Sequence, residues 1–520
     1  MSKAAYFLAL DYGTQSTRAL VFDCAGSLIA RAAIPNRHCR EGEGEGASVQ
    51  SGDYCFNQLV FACQKLFAEH PLLAAQICAV TLTTQRASTV LMDESGKALS
   101  DIFFWSERRL AKALEPMDWW YRLGFSLIGM GERIAYLRRA ANINLIRELM
   151  PGAVDKAPKI GLLSGYLNAR LGGRLIDSVA SQVAYLPFDY RRLEFANARS
   201  WRWQALGCRP SQMVSLCKAT DICGELSPGF AALTGLATGL PLVAGGADKA
   251  CEAFASGAGD DGVLSLSLGS AATVSLGLAD YLEVFRYLPA FPSLQQGQYL
   301  AEIQLERGFW LLSWALEQFG TADVEAAKQL GISPEAYVMQ SITKVPPGAD
   351  GLMLCPYWAQ GVIYPGPEAR GIIAGFSPEH SRAHLYRALV EGILLTLARG
   401  AAALIKKAGK TSGQIKVLRV SGGGSESDVV MQLAADIFNL PAERLSEREA
   451  SSLGAAMCAA VAMGEYESLP QARQNMAKSG RRFEPQPEQA QYYRALSRRH
   501  AKLYPALKTL FKDRVMRPSN

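Results

Sequence analysis

A chain of 520 residues exceeds the roughly 250–300 residues at which a single hydrophobic core stops growing, so two large domains are expected. Hydrophobic content of 49% and charged content of 20% exclude disordered and collagen-like classes. A net charge of +6 from dispersed basic residues argues against a nucleic-acid partner, and eleven scattered cysteines without a C-x-x-C pair argue against a disulfide framework or a zinc ribbon.

The cysteine usage points to a reducing, cytoplasmic compartment. Met1-Ser2-Lys3 leads into a strand without the apolar region of a signal peptide, and no run approaches the roughly 18 uninterrupted apolar residues of a membrane span, so no membrane partner is expected.

The first element is "LALDYGTQSTRALVFD", Leu8 to Asp23, two apolar strands joined by a polar connection. A tight turn needs only Gly13. The further groups of Thr14, Gln15, Ser16, Thr17 and Arg18 suggest a concave set of donors aimed at an anion, with Asp11 suited to a metal ion or its waters. A plain hairpin is the alternative. Another strand, "SLIARAAIP", precedes an acidic glycine-rich loop at Arg40–Ser48 to which no chemistry is assigned. "DYCFNQLVFACQKLFAEH" has helical apolar spacing, and "AQICAVTLTTQRASTVLMDESGKAL" follows as strand, polar junction, strand and turn. Strand–helix–strand order predicts an α/β layered domain.

Helical patterns continue through "GERIAYLRRAANINLIREL", and "LPLVAGGADKACEAFASGAG" then reads as a buried strand running through glycines into a helix. "GVLSLSLGSAATVSLGL", Gly262 to Leu278, echoes the opening hairpin. Helices are predicted in "GFWLLSWALEQFG" and "RAHLYRALVEGILLTLARGAAALIKKAG". "IKVLRVSGGGSESDVVMQLAADIFNLP" is a strand that breaks into three glycines before a helix. Two α/β halves, each opening on such a hairpin, imply a cleft between them where an active site can form.

Two motif matches fail on context. Gly257 to Gly262 fits G-x-G-x-x-G but precedes a strand and carries two aspartates that would repel a pyrophosphate. Gly409-Lys410-Thr411 ends like a phosphate loop, yet Leu404 holds the first glycine position and the segment closes a helix. The five histidines show no metal-ligand spacing.

Three sites survive: the first hairpin, the second hairpin at Leu268-Gly269-Ser270-Ala271, and the loop Ser421–Asp428, whose bare backbone at a helix start suits a nucleotide. Together they resemble the FGGY family of carbohydrate kinases across nearly the whole chain, within the larger group that includes actin. "LDYGTQSTR" and "LSLGSAATV" resemble the two phosphate motifs, and "GGADKA" the catalytic-aspartate motif. "VSGGGSESDVVMQLAADIFNLP" with "ASSLGAAMCAAVAMGEY" resembles the adenosine-side segments, and "GIIAGFSPEHSRAHLYRALVEGI" the long C-terminal signature. The earlier signature survives only as "ERIAYL", with Arg133 and Tyr136 in place of lysine and tryptophan.

The resemblance implies an α/β fold of two actin-like, ribonuclease H-like domains, residues 1–250 and 251–520, with an interdomain active-site cleft. It implies ATP and Mg2+ as cofactors: Gly13, Thr14, Gln15, Ser16, Arg18, Gly269 and Ser270 would meet the phosphates, Gly423, Gly424 and Ser427 the adenosine portion, and Asp11 would hold magnesium through water. On the acceptor side it implies Gln85, Arg86, Trp105, Glu107 and Asp248, with Asp248 as general base. A core role for Trp105, an Arg86–Glu107 ion pair and a helix-capping role for Asp248 are the structural alternatives. The small residues Gly245, Gly246 and Ala247 would let substrate approach Asp248. The implied activity is phosphorylation of a hydroxyl of a small sugar or polyol, with a ketopentose preferred, and a homodimer is left open. The rival readings are an actin- or chaperone-like nucleotide switch and a catalytically silent sugar sensor.

Overall fold

The computed structural model describes residues 5–37, 44, 46–361, 364–366 and 368–515. Most of the acidic stretch of the loop Arg40–Ser48 lies outside them.

The first sheet is built from Tyr6–Tyr12 (β1), Ser16–Asp23 (β2) and Leu28–Pro35 (β3), then, after helix Gly52–Glu69 (α1), Ile77–Thr84 (β4), Ile222–Glu225 (β5) and Pro241–Ala247 (β6). Its order is β5-β6-β4-β1-β2-β3. β1, β2 and β3 form an antiparallel meander, while β1, β4 and β6 run parallel. Period-2 alternation divides β1 between two cores. Leu8, Leu10 and Tyr12 pack with α1, whereas Phe7 and Ala9 face the opposite side. The polar connection is shorter than the sequence suggests: only 13–15 lie outside strands, because Asp11 pairs with Arg18 and Tyr12 with Thr17 across the ladder.

Asp248–Ala255 (α2) leads into the second sheet: Val263–Leu268 (β7), Ala272–Leu278 (β8), Tyr299–Leu305 (β9), Val417–Ser421 (β10) and Ala442–Leu445 (β11), edged by Phe291–Pro292 and Ser479–Phe483. Its central order, β9-β8-β7-β10-β11, repeats the pattern β3-β2-β1-β4-β6 of the first sheet with the same pairing directions. The echo between the two hairpins is therefore a repeat of the whole sheet topology, and the expected pair of actin-like domains is present. In β7, Leu264, Leu266 and Leu268 enter the second core, leaving Ser265 and Ser267 on the other face. Across the ladder Ser265 faces Ser275, which faces Glu302, and Ser267 faces Thr273, which faces Gln304. This polar face holds the groups described below.

Helix Arg382–Lys407 (α3) is long and apolar enough to cross a membrane, but 78% of its most apolar window is buried in the second core. Gly409 follows it at φ +68° and donates to the Lys406 carbonyl, a helix end and not a phosphate loop. Asp428–Phe438 (α4) follows β10, and Ala450–Ala462 (α5) follows β11.

Packing ties the two halves of the chain together. A cut between 250 and 251 falls inside α2, and α5 returns to the first sheet: Leu453, Ala456 and Met457 pack with Phe7, Phe22, Val243 and Phe254. An alanine-rich helix can lie this close because its side chains are small. The first domain thus owns residues from both halves of the sequence.

Candidate active site

Between the domains lies one continuous cleft of about 1650 Å³, bordered by both hairpins, the start of α2 and the glycine loop after β10. The first hairpin presents Gly13, Thr14 and Gln15. Thr14 Oγ1 donates to Gln85 Oε1 at 3.0 Å, and Trp105 Nε1 donates to the same oxygen at 2.9 Å and to Thr14 at 3.1 Å. Trp105 is therefore a cleft residue with its indole N–H fixed, not a plain core aromatic. From the second domain Ser270 reaches Gln15, whose Nε2 donates to Ser270 Oγ at 3.2 Å.

Asp11 is 2% exposed and accepts from Arg18 Nη1 at 3.2 Å and Ser452 Oγ at 3.3 Å. Arg18 also donates to Glu449 Oε2 at 3.3 Å and, through Nε, to Ser16 Oγ at 3.1 Å. Ser16 is thereby turned to Arg18 and does not border the cleft. Burial pushes the Asp11 carboxyl up to about 6, against the pull of Arg18, and the neighbouring charges of Asp248 and Glu449 add to the rise.

Asp248 is the first residue of α2, with Ala247 in the capping position. Its Oδ1 accepts from the Lys249 N–H at 2.8 Å. Burial pushes its carboxyl above the ordinary value, while Lys249 and Arg86 pull it down. Gly245 and Gly246 do not open a path to it. A Cβ on Gly245 would meet the Leu82 carbonyl oxygen at 2.5 Å, and one on Gly246 would meet Leu294 Cδ2 at 2.7 Å. These glycines allow close packing beneath the site, which corrects the expectation that they admit substrate.

Arg86 crosses the domain boundary: its Nη2 donates to Glu302 Oε2 at 2.8 Å and Gln304 Oε1 at 2.6 Å, both on β9. The alternative Arg86–Glu107 pair is not formed. Glu107 is instead clamped by Arg109 Nη2 at 2.8 Å and the Ser48 N–H at 3.0 Å, with its side chain 1% exposed, and it lies outside the cleft lining. It shapes the loop carrying Trp105 and does not reach the acceptor space.

At the nucleotide end, Gly423, Gly424 and Ser427 border the cleft. Gly422 has φ +81°, and a Cβ there would lie 2.8 Å from the Leu268 carbonyl carbon, so the loop rests on the second hairpin only as glycine. A Cβ on Gly423 would meet nothing within 4 Å. Ser427 caps α4, accepting from the Val430 N–H at 3.4 Å. Lys249, Glu302 and Gln304 are cleft residues that motif reading passed over. Lys249 Nζ donates to Glu252 Oε2 and Ser267 Oγ, each at 2.7 Å. Although burial disfavours its charge, Glu252 and Asp248 hold it protonated. The alternation of serine and leucine in "LSLSLG" was the available signal for this polar face.

Residues 6–255 match the N-terminal domain of the FGGY family of carbohydrate kinases, and residues 265–463 match its C-terminal domain. The chain belongs to this family. It is a carbohydrate kinase, a phosphotransferase with an alcohol group as acceptor, and sugar kinases of this family use ATP. Among its relatives are a gluconokinase of Bacillus licheniformis, 25% identical over 95% of this chain and 94% of that protein, and a xylulose kinase of Bacillus subtilis, 25% identical over 97% and 98%. The fold matches the crystal structure of gluconate kinase from Lactobacillus acidophilus with a TM-score of 0.81, covering 98% of this chain and 99% of that one at 19% identity.

Proposed function

We propose that this kinase transfers the γ-phosphoryl group of ATP to a hydroxyl of a small sugar or polyol, a ketopentose by preference, with Asp248 as general base. The observation that carries the reading is the convergence of both hairpins, joined by Gln15 and Ser270, on the cleft that also holds Asp248.

Phosphoryl transfer asks mainly for alignment and charge stabilisation. Gly13, Thr14, Gln15 and Arg18 of the first hairpin and Gly269 and Ser270 of the second face the terminal phosphates. The backbone of Gly423 leaves room for the adenosine portion, with Ser427 at the helix start beside it, while Gly424 packs against Leu268 and Phe309 and supports the loop from below. Gln85, Arg86 and Trp105 orient the acceptor. Asp248 takes the acceptor hydroxyl's proton as that oxygen bonds to the γ-phosphorus and the bond to the bridging oxygen of ADP breaks. A carboxylate with one oxygen tied to its own helix backbone and a raised affinity for protons suits that task.

Asp11 fits magnesium held through water. Among the described residues no group of three metal-ligating side chains is assembled, as suits an ion that binds through one or two carboxylates, waters and the nucleotide's phosphates. Bound there, magnesium would neutralise developing charge on the phosphates.

The test is an ATP-consumption screen of purified protein over ketopentoses, other ketoses, sugar acids and linear polyols. Acceptor-dependent ADP formation with a phosphorylated product supports the reading; ATP hydrolysis indifferent to every acceptor would favour a nucleotide switch and sink it.

A further inference from the structure

Side chains two apart on a strand share a face, so β9 and the residue after it place Glu302, Gln304 and Glu306 in one row along the cleft. The first two are committed to Arg86. Glu306 is not: it opens onto the cleft and has no hydrogen bond or ion pair among the described residues. The charged groups facing it are Arg86 from the first domain and Arg108 from the segment after Trp105, which lies outside the cleft lining. The phenols of Tyr136 and Tyr185 also feel its charge, Tyr185 from the cleft lining.

The unmet hydrogen bonds of this wall have a definite chemistry. Glu302 Oε1 is a buried acceptor without a donor, and Gln85 Nε2 is a buried donor without an acceptor. A hydroxyl both donates and accepts, so a row of hydroxyls can satisfy Glu302, Gln85 and Glu306 together. A substrate carboxylate only accepts, and it would meet Glu302 and Glu306 with like charge. Arg86, the cation of the cleft lining that acts on Glu306, is already paired with Glu302.

We propose that Glu306 determines acceptor specificity, accepting hydroxyl hydrogens from a neutral ketose or polyol and repelling sugar acids. The assignment rests on the kinase reading of this cleft and narrows its acceptor class. The walls around the Glu306 carboxyl push it up to about 7, against Arg108 and Arg86, so its charge grows as pH rises through neutrality. Rejection of sugar acids therefore strengthens with pH.

The experiment measures kcat/KM for a neutral ketopentose and for an aldonate of equal carbon number, from about pH 6 to about pH 8, in the wild type and in Glu306→Gln. Dividing one rate by the other removes the shared dependence on Asp248. The wild-type preference for the neutral acceptor should rise at least roughly fivefold across this range, carried by the aldonate KM, as expected for one added like charge near the bound group. Glu306→Gln should flatten that rise and bring the aldonate closer to the neutral sugar. A wild type that prefers the aldonate, or a preference independent of pH, overturns the assignment while leaving the kinase reading intact. A variant that keeps the wild-type pH dependence also overturns it. Turnover of neither class, in protein that binds ATP, overturns the kinase reading itself and this assignment with it.

Discussion

Gln15 and Ser270 stand 255 positions apart in the chain, and their side chains meet at 3.2 Å where the two hairpins face each other. One is the β1–β2 turn of the first sheet and the other the β7–β8 turn of the second, so a repeated topology places two equivalent polar turns on opposite walls of one cleft.

Removing that contact tests whether the hairpins grip the nucleotide. Ser270→Ala should raise the ATP KM about 2- to 12-fold, the range of one hydrogen bond worth about 0.5–1.5 kcal/mol, with the acceptor KM unchanged. An ATP KM equal to wild type would place the phosphates elsewhere.

Asp248→Asn separates chemistry from architecture. Asparagine can still accept from the Lys249 N–H, so the start of α2 should persist, while the base is lost. Acceptor-dependent turnover should fall roughly 10²–10⁴-fold with ATP binding retained. Near wild-type turnover would move the base to another residue.

The pH profile follows from the same group. Burial first, against Lys249 and Arg86, raises the Asp248 carboxyl above its ordinary value. A base works ionised, so acceptor kcat/KM should drop as pH falls through that raised value, which lies above 3.8. The acid limb should vanish from the residual activity of Asp248→Asn, and its persistence would assign it to another group.

Asp11 links stability to pH in the opposite sense to a carboxylate whose ion pair outweighs its burial. Its folded-state value of about 6 exceeds the ordinary 3.8, so the folded protein binds the extra proton between these values and loses stability as pH rises across them. Asp11→Asn, which carries no charge to bury, should melt at a higher temperature than wild type near pH 8, with the gap closing near pH 4. Its magnesium-dependent turnover should nevertheless fall. A variant less stable at pH 8 than wild type would show that the bonds to Arg18 and Ser452 outweigh burial.

Gly423 faces open space in the cleft, so a valine there folds without a clash and occupies only what a ligand needs. Gly423→Val should raise the ATP KM by roughly tenfold or more, about 1.4 kcal/mol, without reordering acceptor preference. Unchanged affinity would remove this loop from the nucleotide site.

Ala87 predicts poor use of glycerol. Directly after Arg86 it borders the cleft at φ +59° and offers no side-chain hydrogen-bond acceptor, so a three-carbon triol is held by fewer contacts than a sugar. Its kcat/KM should lie at least about 100-fold below that of the best sugar. Parity with that sugar would overturn the point.

Much of this molecule was legible in one dimension because its signals are local. Turn residues between apolar strands announce a hairpin, glycine followed by a helix pattern announces a ligand loop, and β1, β2, α1, β6, α2 and α3 all lie where periodicity put them. Asp11, Gln15, Asp248 and Gly423 could be named from motifs that sit on single connections. Tertiary structure alone decided what pairs with what. Arg86 turned from nearby Glu107 to Glu302 and Gln304, more than 200 residues away, because domain contact brings β9 across the cleft. Glu107 went to Arg109, two residues on, and left the site. Helix α5, read as part of the second half, joined the first core because its alanine face fits that sheet. An ion pair or a helix contact depends on distances in space, and spacing along the chain sets those only within a turn, a strand or a helix.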